Sequence, residues 1–392
     1  MAINPYFNKI IKNGTTLIDI SDTSAVAADV AQGKKFYDAS GAPQTGTASG
    51  GGGGGFDWSQ VAGVQFQGVT FSVPTALDVS GIDTSAFTSM RNMFSGLGAR
   101  FIGITGLTNF DTSNVTTMQS MFASNNSITS LNLSSFDTAR VTRMDSMFSG
   151  CRALTSITLG NDFDTGAVTD FNNMFYNCYL LDVTTLAPLL DVSNCANFNT
   201  MFGGCFSASS YPSGAGTVLD LSGWDTQKAT YMSNMFADCN KVTEIDVTGW
   251  DTDSVTSMSG MFINCSSLTH LDLSDFDTSK VTSMSAMFSG CTALESVNLW
   301  NFSTAKITAS YNISQIFYRC NSLTDIIWSQ RNTVQALPAT PSFLSITSTM
   351  KFYVPDALVD DYKAATNWSL IADQIYGISD LPQAVKTTYG IS

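Results

Sequence analysis

The sequence predicts an α/β solenoid, a curved array of about nine stacked coils with a parallel sheet on its concave face, joined to a small N-terminal module. Three observations carry this. A Met-Phe pair recurs at Met93, Met121, Met147, Met174, Met201, Met235, Met261 and Met287, with a degenerate copy at Ile316-Phe317, and most spacings are 26 to 28 residues. Ahead of the pair stands an L-x-x-L-x-L phrase, as in Leu268, Leu271 and Leu273, whose alternation reads as a short half-buried strand. Between the two, Val281, Met284, Met287 and Phe288 share one face at helical spacing, which predicts a short helix opposite the strand. No unit this small buries its own apolar face, so the units must stack. Strands repeat at about 4.8 Å and packed helices at about 8 to 10 Å, so a helical back predicts curvature.

Taken in order, residues 1–48 lack the repeat. "KNGTTLIDI" reads as turn and strand, "SAVAADVAQG" as a short helix ending at Gly33, and "KKFYD" and "ASGAPQTGT" as two further strands with a turn. A glycine run, Gly50 to Gly55, makes residues 49–56 a flexible linker. Residues 57–92 cap and begin the first coil, residues 93–330 are the repeat with one insertion near "SASSYPSGAG", and residues 331–392 close the far end. That closing segment offers a strand at "MKFYV", a helix opened by Pro355 and Asp356, and Trp368 to cover the last apolar face.

Three columns run through the repeat. Cys151, Cys178, Cys205, Cys239, Cys265, Cys291 and Cys320 each follow the methionine of the pair by four residues, and only Cys195 is out of register. One inward cysteine per coil does not supply four converging ligands for zinc. In-register side chains point parallel, which disfavours disulfides between coils. The column therefore reads as buried free thiols filling space. Asp83, Asp111, Asp137, Asp164, Asp225, Asp251 and Asp277 form a second column. It reads as turn and helix capping, with a calcium ladder between coils as the functional alternative. The third column, Phe110, Phe136, Phe163, Trp224, Trp250, Phe276 and Phe302, reads as an aromatic spine.

Only 13 % of residues are charged, so the surface is finished with Ser, Thr, Asn and Gly. A net charge of -14 repels phosphate backbones and anionic lipid, which argues against nucleic acid as a partner. No stretch approaches 18 apolar residues, so no membrane insertion is expected, and the start shows no export signal. A nucleophile, base and orienter do not appear as a recognisable set, and the chain is expected to be no enzyme, with no metal and no cofactor. His270 is the single histidine and stands at an outward strand position. The outward positions Glu244, Asp246, His270, Asp272, Asn298 and Trp300 are the candidate ligand-binding residues of the concave face. Trp300, where Ser134 and Ser274 are small, is either a ligand anchor or a contact with the terminal cap.

The phrases "FDTSKVTSMSAMFSGC" and "LTHLDLSDF" resemble the BspA-type leucine-rich repeats of bacterial and mycoplasmal surface proteins, over about residues 76 to 330. The resemblance implies adhesion and surface display without catalysis. Residues 1–48 look like short modules at the starts of tail and virion proteins in phages of Gram-positive bacteria. "YVPDALVDDYKAATNWSLIADQI" is similar to segments that close such arrays in those bacteria and phages. Together they imply a virion-associated, receptor-binding solenoid. Residues 1–48 would join other virion proteins, the concave face would contact a host surface glycan or protein, and several copies, as in a homo-oligomer, would add avidity. A structural decoration protein, or a bacterial cell-surface adhesin, is the alternative.

Overall fold

The computed structural model describes residues 75–98, 101–207, 217–328 and 344–391, two short stretches at 333–334 and 339–340, and four strands nearer the N-terminus. Those four are β1 (Lys9–Lys12), β2 (Thr15–Asp19), β3 (Lys35–Tyr37) and β4 (Pro43–Thr45), paired antiparallel as β1 with β2 and β3 with β4. The helix expected to end at Gly33, the glycine linker and the insertion near "SASSYPSGAG" lie outside the described residues.

From residue 75 onward the chain is a parallel solenoid of about eleven turns. Its strands are β5 (Thr75–Asp78), β6 (Phe101–Thr105), β7 (Ser130–Leu133), β8 (Ser156–Leu159), β9 (Thr217–Asp220) and β10 (Val242–Asp246). Beyond them lie β11 (His270–Asp272), β12 (Ser296–Leu299), β13 (Asp325–Trp328), β14 (Lys351–Val354) and β15 (Ile375–Gly377). Every pairing among these is parallel, and β11 to β15 form one five-stranded run. The inward leucines of the phrase, Leu268, Leu271 and Leu273, are buried.

The helical back is not there. Across Val281 to Phe288 the chain makes successive turns, and the residue before each Met-Phe pair is left-handed: Ser120 (φ 53), Asn234 (φ 55), Ala286 (φ 54). A second left-handed residue follows four positions on, at Ser124 (φ 62), Asp238 (φ 61) and Gly290 (φ 80). A right-handed helix cannot pass through either position. The backbone groups that a helix would satisfy internally go elsewhere. Alternate N–H groups cross to the next coil, as Met118 to Arg143 O (3.0 Å), Ser120 to Asp145 O (3.0 Å) and Phe122 to Met147 O (2.9 Å). Those between them close turns, as Met121 to Met118 O (3.1 Å). The left-handed residue occupies the third place of its turn, which type II turns reserve for that conformation. The width mismatch between strand and helix faces disappears with the helix. Both faces advance at strand spacing, and single parallel bridges run from Ser89 through Thr117 and Arg143 to Ser283. Among the described residues α-helix is confined to the C-terminal segment, as α1 (Val359–Ala364), α2 (Gln383–Thr388) and a helical residue at Leu344.

Stacking in register turns each column into a ladder. The phenylalanines of the Met-Phe pair, from Phe94 to Phe317, lie face over face at 5.4 to 5.9 Å. The expected spine is stacked in two runs, Phe110 over Phe136 at 6.3 Å and Trp224, Trp250 and Phe276 at 5.9 and 6.2 Å, while Phe163 and Phe302 are buried outside both runs. Such pairs add about 0.5–1.5 kcal/mol each beyond burial. All eight cysteines are free and buried. Each of the seven in the column donates its S–H to the phenylalanine carbonyl one coil back, as Cys178 to Phe148 O (3.1 Å) and Cys291 to Phe262 O (3.0 Å). Asn125 takes the cysteine's place in an earlier coil and bonds the same kind of carbonyl, Phe94 O, at 2.8 Å. Cys195 stands where other coils have valine, the place of a small apolar filler.

The aspartates cap turns. An Oδ1 accepts the N–H two residues on, as Asp111 from Ser113 (3.0 Å) and Asp251 from Asp253 (3.0 Å). Asp191, which the sequence pattern omits because Val192 follows it, does the same with Ser193 (2.9 Å). Beside them runs a buried threonine ladder, in which Thr84, Thr112, Thr165, Thr226 and Thr252 each donate to a backbone carbonyl of the next coil at 2.8 to 3.1 Å.

Two outcomes follow. Ala286→Gly relieves a left-handed alanine and stabilises the fold by up to about 1 kcal/mol, read as a higher urea midpoint; in a helix the same change would destabilise it by about 1 kcal/mol. Burial pushes the Cys151, Cys195 and Cys320 thiols up to about 12. Because the thiolate is the reactive form, a disulfide reagent at mildly alkaline pH should label none of the 8 cysteines in the folded protein and all of them in guanidinium.

Candidate ligand groove on the strand face

Strand alternation sets outward side chains in rows across the coils. Parallel register puts Val218 beside Glu244 and Asp220 beside Asp246, then His270 beside Ser296 and Asp272 beside Asn298. At the strand ends the acids are fixed by their own backbone, since Asp246 accepts from Thr248 N–H (2.9 Å), Asp272 from Ser274 N–H (2.9 Å) and Asn298 from Trp300 N–H (3.3 Å). Each Asp keeps its second carboxylate oxygen outside that turn bond. His270 Nδ1 lies 2.8 Å from Ser296 Oγ, which lies 2.9 Å from Tyr389 OH.

Here the strand face holds a groove of about 290 Å³, lined by Thr243, Glu244, Asp246, Thr248, Thr269, His270, Asp272, Thr388 and Tyr389 among others. Four of the six sequence-selected residues, Glu244, Asp246, His270 and Asp272, are thus brought together. Asn298 and Trp300 are not. Asn298 is buried, and Trp300 packs against a separate apolar cluster built on Ile327, Tyr353 and Leu381. Ile378, Val385, Tyr389 and Ile391 join that cluster, so the C-terminal segment lies over the strand face from β12 onward. Trp300 is therefore a cap contact.

Sequence reasoning missed Tyr389, Thr388 and the Ser–His contact. Tyr389 meets Ser296 across 93 residues of chain, and no local pattern encodes that pairing. Burial raises the Tyr389 phenol well above its usual range, so it stays a neutral hydrogen-bonding wall. Ser296 is 1 % exposed. A substrate therefore has no path to its oxygen, and a serine beside a histidine makes no open nucleophile here. Among the described residues no three His, Cys, Asp or Glu side chains gather as a metal-ligand group.

Fold and groove define a parallel repeat solenoid with a polar groove on its strand face. Residues 88–215 and 213–330 match the family described as "Mycoplasma protein of unknown function, DUF285", and the chain belongs to that family. No curated protein matches it. Two solved structures are similar: a leucine-rich repeat protein from Bacteroides ovatus ATCC 8483 and the pneumococcal vaccine antigen PcpA. The first shows 16 % identity over 64 % of this chain and 69 % of that one, with a TM-score of 0.31. The second shows 13 % identity over 75 % and 76 %, with a TM-score of 0.31.

Trp300→Ala removes a packing contact of the C-terminal segment. Losing about 2 kcal/mol there should speed amide exchange in residues 378–391 roughly thirtyfold, while protection of the main core stays unchanged.

Proposed function

We propose that this chain is a non-enzymatic adhesion or receptor-binding protein that contacts a host surface glycan or protein through the strand face of its solenoid. The observation that carries the reading is the groove over β10 and β11, where Glu244, Asp246, His270 and Asp272 converge with threonine hydroxyls on a rigid sheet. Asp246 and Asp272 are held by their own turns, so these two side chains lose little conformational freedom on binding. The setting we propose is a virion, with residues 1–48 joining other virion proteins and several copies supplying avidity. That part rests on the resemblance of residues 1–48 to phage virion modules. Burial of Ser296 beneath Tyr389 keeps the Ser–His contact from acting as an open nucleophile, which supports a binding role over a serine-hydrolase one.

The test is binding of the full-length chain to Gram-positive host cells, with a Glu244→Gln, His270→Ala double variant alongside. Loss of charged and polar contacts worth about 1.5–3 kcal/mol predicts binding roughly ten- to a hundredfold weaker. Protease or periodate treatment of the cells assigns the ligand to protein or glycan. Absence of binding to every host tested would leave a structural decoration protein, and undiminished binding by the variant would move the contact off this groove.

A further inference from the structure

The groove is open along the sheet in one direction and shut in the other. Toward β9 the next outward residues, Val218 and Asp220, are exposed, and the face continues. Toward β12 it stops at Tyr389, which stands over buried Ser296 and is tied to it by a 2.9 Å hydrogen bond. Behind that wall one outward row turns apolar, with Ile327 and Tyr353 covered by the C-terminal segment, while the other carries half-buried Asp325, which accepts from Tyr353 OH (2.8 Å), and exposed Lys351. A chain molecule lying across the strands can leave the groove only on the β9 side.

We infer that the groove recognises the ends of a neutral polysaccharide, with the terminal sugar seated against Tyr389, an inference that rests on the adhesion reading above. Three features favour a neutral sugar chain. An extended peptide recognises a sheet through an unpaired strand edge, and the strand face offers side chains only. The lining is carboxylates and threonine hydroxyls, which accept from and donate to sugar hydroxyls. No lysine or arginine lines it, and the chain carries a net charge of -14, so an anionic polymer is repelled. A wall at one end selects termini because a polymer interior needs an exit on both sides.

The probe is purified neutral wall polysaccharide from a strain whose cells the full-length protein binds, used intact and after shearing by sonication. Shearing multiplies chain ends without changing mass. Bound protein per gram should rise in the same ratio as the number of ends, and Tyr389→Ala should bind the intact polymer at a capacity that no longer depends on length. Capacity per gram unchanged by shearing of the wild-type ligand overturns end recognition. Binding to cells with none to either polysaccharide preparation overturns the sugar assignment while leaving adhesion standing. Absence of binding to cells is failure of the adhesion reading itself. The wild-type shearing result decides the matter even if Tyr389→Ala folds poorly.

Discussion

The structure depends on one backbone arrangement: alternate N–H groups on the turn face donate to the next coil, and left-handed residues aim them there. A helix satisfies its backbone within itself and leaves stacking to side chains. Here stacking satisfies the backbone on both faces, so coils must lie in register at strand spacing. Everything periodic follows from that. Phenylalanine over phenylalanine at 5.4 to 5.9 Å is a consequence of the backbone repeat, as are the tryptophan pair and the cysteine column.

The aspartate column stacks carboxylates that are each held by their own turn, while many of the inter-coil polar bonds join neutral groups. Thr252 to Asp277 O, Ser267 to Asn240 O and Cys265 to Phe236 O are examples, each joining neighbouring coils. One ladder carries compensated charge, at Arg143, which pairs with Asp145 at 2.9 Å and Asp170 at 3.6 Å. Burial still raises the Asp170 carboxyl above its ordinary value.

Period, strands, cysteine burial and aspartate capping were legible in the residues because each repeats a local signal. The missing helix was misread because Val281, Met284, Met287 and Phe288 have the spacing of a helix face, and a string of turns that buries the same residues has it too. The discriminating signal stood in the neighbouring columns. For six of the seven column cysteines the residue before is Gly150, Asn177, Gly204, Asp238, Asn264 or Gly290, the types that tolerate left-handed backbone, and before Cys320 it is Arg319 (φ 61). Ala286 and Gln315 blur the other such column, because neither type favours it. Four site residues were legible from outward strand position alone. The fate of Trp300 was not, since it depends on what a distant segment covers.

That cover was half written in the outward row. Asp220, Asp246, Asp272 and Asn298 give way to Ile327, Tyr353 and Tyr376, a change from solvated to apolar at the same strand position. A strand face that turns apolar must be covered, and the C-terminal segment supplies Leu381, Val385 and Ile391 to do so. The cover ends where the row becomes polar, and the groove begins there. Its position is therefore set by where a solenoid that needs a terminal cap stops being capped. This boundary is where one stretch of sheet becomes chemically unlike its neighbours, and recognition needs such a difference.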